Sequence, residues 1–96
     1  MQSKKLGVSA LQKIRQAGFD VEIRQAKKGV TVYLLQGGQR VANAQCTKVP
    51  AHTMDYIRLR AELGILNKGS TLRALLETWA MDPAAVVKAA EAAEVL

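Results

Sequence analysis

The chain has one cysteine, one histidine and two prolines, and aromatic residues make up only 4% of it. Each scarcity excludes something. A lone Cys46 cannot form an internal disulfide, which agrees with a reducing compartment, and it reads as a small buried side chain. His52 and Cys46 together would supply two metal ligands where a structural zinc site takes about four, so no metal or other cofactor is expected. His52 reads instead as a residue of a first helical turn. There is no nucleophile beside an obvious base, no glycine-rich phosphate loop with its lysine and no carboxylate cluster, so no catalytic activity is expected. No apolar run reaches the roughly 18 residues a membrane span requires, and Met1-Gln2-Ser3-Lys4-Lys5 is not followed by a secretory apolar segment, which points to a cytoplasmic protein with no membrane partner. Few aromatics imply an aliphatic core. With 49% hydrophobic residues over 96 positions, one compact domain is expected, its core thin enough that a second copy or a partner could finish the apolar surface.

Positive charge is what the chain has in excess, and it is unevenly placed. Residues 1–48 hold nine lysines and arginines against two acidic residues, a net of +7, whereas residues 49–96 hold five against six, a net of −1. A field of that sign suits a polyanion or an acidic protein surface.

The most β-prone stretch is Gly29-Val30-Thr31-Val32-Tyr33-Leu34-Leu35-Gln36, flanked by Lys27-Lys28 and by Gly37-Gly38. It reads as the central strand of a three-stranded antiparallel sheet. Before it, Val21 and Ile23 alternate with Asp20, Glu22 and Arg24, and a four-residue turn at 26–29 places Ile23 opposite Val32 and Val21 opposite Leu34. After it, a two-residue loop would put Asn43 and Gln45 on the core face. A three-residue loop, Gly37-Gly38-Gln39, with a local bulge instead sets Leu34 against Ala42, Val32 against Ala44 and Val30 against Cys46, because a one-residue slip exchanges the two faces of a strand. The outer face would then display Arg24, Thr31, Tyr33, Asn43, Gln45 and Thr47, flanked by Leu35 and Val41.

Helices are expected on both sides of the sheet in sequence. Residues 1–8 read as a loose basic lead-in. Ser9 and Gln12 form a capping box before a short helix over 10–17 that ends at Gly18. Pro50 suits the first turn of a helix running to Leu63. Its apolar residues fall on two opposed faces, Met54, Ile57 and Ala61 at about 300–360° and Tyr56, Leu59 and Leu63 at about 140–200°, as in a helix sandwiched between two layers. Ser70 caps a third helix carrying Leu72, Leu75, Leu76 and Trp79 at core spacing, and Asp82-Pro83 opens an alanine-rich fourth. That last helix could pack at home or build a homodimer through the C-terminal helices. The fold expected is α+β in the order α-β-β-β-α-α-α: a basic αβββ unit over 9–48, a helical unit over 49–96, and one layer of helices on one sheet face.

Functionally, Lys4, Lys5, Lys13, Arg15, Lys27, Lys28 and Arg40 would contact phosphate, and Arg24, Tyr33, Asn43, Gln45 and Thr47 would add selectivity. The alternative is a protein-binding inhibitor or adaptor, for example phage- or plasmid-encoded, that docks on a larger protein complex by its outer sheet face or C-terminal helices. Residues 43–79 resemble a ribbon-helix-helix DNA-binding unit: alternating Asn43, Gln45 and Thr47, a proline-led helix ending in Leu63-Gly64-Ile65, and a second helix opened by Lys68-Gly69-Ser70-Thr71-Leu72. The resemblance implies strand residues that read the major groove of DNA and phosphate held at 68–71. The order α-β-β-β-α is also similar to that of double-stranded-RNA-binding domains, without the lysine-rich start of their last helix.

Overall fold

A computed structural model of the chain describes residues 8–47, 49, 53–67 and 69–95. Lys4, Lys5, Pro50, His52 and Lys68 therefore lie outside the described residues. The architecture is α+β: helix α1 (Ala10–Gln16), strands β1 (Asp20–Gln25), β2 (Val30–Gln36) and β3 (Gln39–Cys46), then helices α2 (Met54–Leu63), α3 (Thr71–Met81) and α4 (Pro83–Val95). The strands form one antiparallel sheet in the order β1-β2-β3.

Sheet register follows the alternation of apolar side chains. Ile23 lies opposite Val32, Val21 opposite Leu34, Leu34 opposite Ala42, Val32 opposite Ala44 and Val30 opposite Cys46. One inner face is thus continuously apolar across three strands. The odd residue of the second hairpin sits elsewhere than expected. Gln36 pairs with Gln39, so the loop has two residues, and the register shifts between Leu34 and Leu35, leaving Val41 as the unpaired extra residue. Gly37 and Gly38, at φ +60° and +79°, supply the two positive φ values of a type I′ turn, whose twist matches that of the strands. The bulge then restores the parity that the core demands.

Local capping starts the helices. In α1 the Ser9 hydroxyl accepts from the Gln12 amide (3.1 Å) while the Ser9 amide donates to Gln12 Oε1 (3.0 Å). In α3 the Ser70 hydroxyl accepts from Arg73 N (3.0 Å), and in α4 Asp82 Oδ1 accepts from Ala85 N (3.2 Å). Helix α2 begins later than Pro50 implies. Thr53 is its N-cap, accepting from Tyr56 N at 3.2 Å, an arrangement that contributes about 1 kcal/mol.

Leu11 and Ile14 of α1, the inner sheet face, Ile57 and Ala61 of α2, and Leu72, Leu76 and Trp79 of α3 form one buried cluster. Helices α1, α2 and α4 meet the strands, and α3 packs chiefly on α1. The sandwich expected around α2 is half formed. Its Ile57 and Ala61 face is buried, but Tyr56, Leu59 and Leu63 are 41–57% exposed, and α3 packs chiefly on α1 rather than along that side. Arg58, between the faces, donates Nε and Nη2 to the Ile23 carbonyl (3.3 and 3.0 Å), blocking part of the edge of β1. No helix among the described residues is long and apolar enough to cross a membrane.

Candidate nucleic-acid interface on the outer sheet face

Side chains alternate across a strand, so the residues interleaved with the core positions share the opposite face. Cross-strand pairing arranges them in rows. Arg24, Thr31 and Gln45 stand abreast, then Glu22, Tyr33 and Asn43, with Asp20, Leu35 and Arg40 beyond, while Val41, expected beside Leu35, is the bulged residue and packs against the core. Thr47 follows β3 and is exposed, as are Arg24, Asn43 and Gln45, while Thr31, Tyr33, Leu35 and Val41 are half-buried.

Charge on the face is organised by a residue that charge counting alone overlooks. Glu22 accepts from Arg40 Nε (3.0 Å) and from Arg24 Nη1 (3.2 Å), joining β1 to the start of β3. Hydrogen bonding by Arg40, then by Arg24, holds the Glu22 carboxyl below its ordinary value, and the same carboxylate raises Arg40. The guanidinium of Arg40 also lies over the Tyr33 ring, 4.0 Å from its centroid, in cation–π contact. The signal for Glu22 was present in its position two residues from Arg24, on the same side of an alternating strand.

At one end of these rows is the β1–β2 loop with Lys27 and Lys28, both exposed and without an ion pair or side-chain hydrogen bond among the described residues. The loop lies close to the end of β3, since a Cβ added at Gly29 would stand 1.9 Å from the Cys46 carbonyl oxygen. The lysines therefore adjoin the Arg24, Thr31 and Gln45 row.

Two of the other expected phosphate contacts belong to the helix layer. Lys13 lines a cavity of about 480 Å³ formed by α1, the end of α2 and α3. Arg15 is held on carboxylates: Nε donates to Asp20 Oδ1 (2.9 Å), and Nη1 and Nη2 donate to the two Glu62 oxygens (2.7 Å each). Hydrogen bonding to Glu62 and then Asp20 raises Arg15 far above its ordinary value. Lys4 and Lys5 lie outside the described residues. Of the twelve residues named from the sequence, the fold thus brings together Arg24, Lys27, Lys28, Tyr33, Arg40, Asn43, Gln45 and Thr47, and keeps Lys13 and Arg15 apart from them.

Cys46 is buried under the sheet; burial pushes its thiol up, partly offset by a hydrogen bond with Thr71, which disfavours the reactive thiolate. No three His, Cys, Asp or Glu side chains gather into a metal-binding group among the described residues. The chain matches no protein-family model, no curated protein and no solved structure.

Proposed function

We propose that this chain is a small, non-catalytic nucleic-acid-binding protein, a regulator or accessory factor that uses the outer sheet face and the adjoining lysine loop. The observation that carries this reading is the junction of two exposed cations without an ion pair among the described residues, Lys27 and Lys28, with the outer sheet face that bears Arg24, Tyr33, Asn43, Gln45 and Thr47. Unpaired lysines on a loop suit phosphate, which they contact without regard to sequence. Amide side chains in register beside them offer a donor and an acceptor each to base edges. Arg15 serves as a brace in this reading, and Arg24 and Arg40 share one carboxylate, so the loop carries the larger part of the attraction. Lys4 and Lys5 add charge from the N-terminal segment, and loss of residues 1–5 is expected to weaken binding.

Fluorescence anisotropy with short labelled nucleic acids at two salt concentrations tests the reading. Micromolar or tighter binding that weakens with salt, and that a Lys27→Glu/Lys28→Glu variant loses, is expected. Absence of binding to every nucleic acid at low salt would overturn it.

A second reading, a protein-binding adaptor or inhibitor, is favoured by one observation, the exposed apolar row Tyr56, Leu59, Leu63 and Ile65 along and after α2. It predicts that Leu59→Lys abolishes association with a protein partner while nucleic-acid affinity is unchanged.

A further inference from the structure

Resting on the reading just given, we propose that the outer sheet face takes a single-stranded polynucleotide, with the Arg40–Tyr33 pair as the platform on which one base stacks. Width is the first reason. Three strands spaced about 4.8 Å apart, with side chains on both flanks, exceed what a B-DNA major groove about 12 Å wide admits, which is one helix or a two-stranded ribbon. Spacing along the strands is the second. Successive rows on one face lie two residues, about 6.8 Å, apart, twice the roughly 3.4 Å step of stacked duplex bases, so neighbouring rows meet successive bases only where the strand is unstacked.

The platform itself is built before any ligand arrives. Glu22 fixes Arg40 at 3.0 Å, and Arg40 lies 4.0 Å from the Tyr33 centroid, so a planar cation already rests on the aromatic ring at the middle of the sheet. A base can stack on the free side of the guanidinium or at the exposed edge of the ring, a contact open to every base. Asn43 stands beside Tyr33 on β3, placing an amide where an unpaired base edge would lie. Glu22 repels phosphate from the β1 side. The backbone is thereby directed towards Lys27 and Lys28, with the bases over the Tyr33 row.

The test is anisotropy with the full chain, using fluorescein-labelled single-stranded DNA, single-stranded RNA and a duplex of the same sequence, about a dozen nucleotides each. A single strand of one or both sugars is expected to bind at least about 10-fold more tightly than the duplex. Tyr33→Leu is expected to weaken single-strand binding by roughly 5- to 150-fold, the loss of one stacked base, without changing its salt dependence. Circular dichroism establishes that the variant is folded; should it not be, Arg40→Gln, whose side chain lies outside the core, decides by the same criterion. Duplex binding as tight as single-strand binding, with these variants neutral, would overturn this inference and leave the nucleic-acid reading standing. Single-strand preference with both Tyr33→Leu and Arg40→Gln neutral would overturn the platform. Absence of binding to all three overturns both.

Discussion

Gly29 is the residue at which the sheet leaves least room. Its φ of +90° is strained for any residue with a side chain, and a Cβ there would stand 1.9 Å from the Cys46 carbonyl oxygen and 2.9 Å from Thr47 Cα, both backbone atoms. No rotamer change relieves a clash with backbone. Gly29→Ala is therefore expected to destabilise the fold by roughly 3 kcal/mol or more, read by urea unfolding, with the strand amides of Val30 and Cys46 losing hydrogen-exchange protection first. By contrast Lys28, one residue away, is exposed, and Lys28→Ala is expected to leave stability within about 0.5 kcal/mol of the parent. The same hairpin thus separates into a structural residue and a binding residue.

At the scale of elements, Arg15 joins three pieces of chain. It rises from α1 and donates to a first carboxylate at the start of β1, Asp20, and to a second on α2, Glu62, 47 residues away. Hydrogen bonding to Arg15 holds the Glu62 carboxyl below its ordinary 4.5. Burial pushes Asp20 up, but Arg15 and the Val21 amide outweigh it and leave Asp20 below its ordinary 3.8. Because the folded values lie beneath the unfolded ones, the stabilisation is complete above the ordinary carboxylate range and is lost as pH falls through the depressed folded values. Side chains of Arg15 and Glu62 are 40% and 46% exposed, so solvent limits the pair's worth. Glu62→Gln is expected to cost about 1 kcal/mol or less at neutral pH. In urea unfolding, the difference between parent and variant should shrink as the buffer is taken below about pH 4 and also in high salt. A difference that persists unchanged in acid would show that packing, not the ion pair, is what the substitution disturbs. Helix α2 is the element on which the apolar pattern was ambiguous: both faces carry large aliphatic residues, and the periodicity has no means of ranking them. The buried face is the one with Ile57 and Ala61, whose small Ala61 lets α2 lie close against its neighbours, while the bulkier Leu59 and Leu63 face outwards.

For the whole molecule, pairing divides the positive charge more finely than sequence position does. The basic first half contains the arginines that Asp20, Glu22 and Glu62 hold, and it contains Lys13, Lys27 and Lys28, which have no ion pair among the described residues. Free cations, not total charge, set the number of counterions released. If two to four phosphates are neutralised, the affinity for a single strand should fall with a log–log salt slope of about −1.4 to −2.8, and Lys27→Gln/Lys28→Gln should make that slope shallower by about 1.4. Lys13→Gln, on the helix side, is expected to leave it unchanged. An equal effect from Lys13 would place the interface on the helix layer rather than the sheet.

The sequence by itself determined the α-β-β-β-α-α-α order, the caps at Ser9, Ser70 and Asp82, the inward set Ile23, Val32, Leu34, Ala44 and Cys46, and the outward set Arg24, Thr31, Tyr33, Asn43 and Gln45. These are short-range properties: a cap bonds three residues on, and a strand's two faces are set by a period of two. Tertiary structure decided where the extra residue of the second hairpin was absorbed, at Val41 and not in the loop, since turn twist and core parity must be satisfied together. It also decided the start of α2 at Thr53 and which of its faces was buried. Finally, it decided which cations were left free, because Arg15 is claimed by a carboxylate that only the folded chain brings within reach.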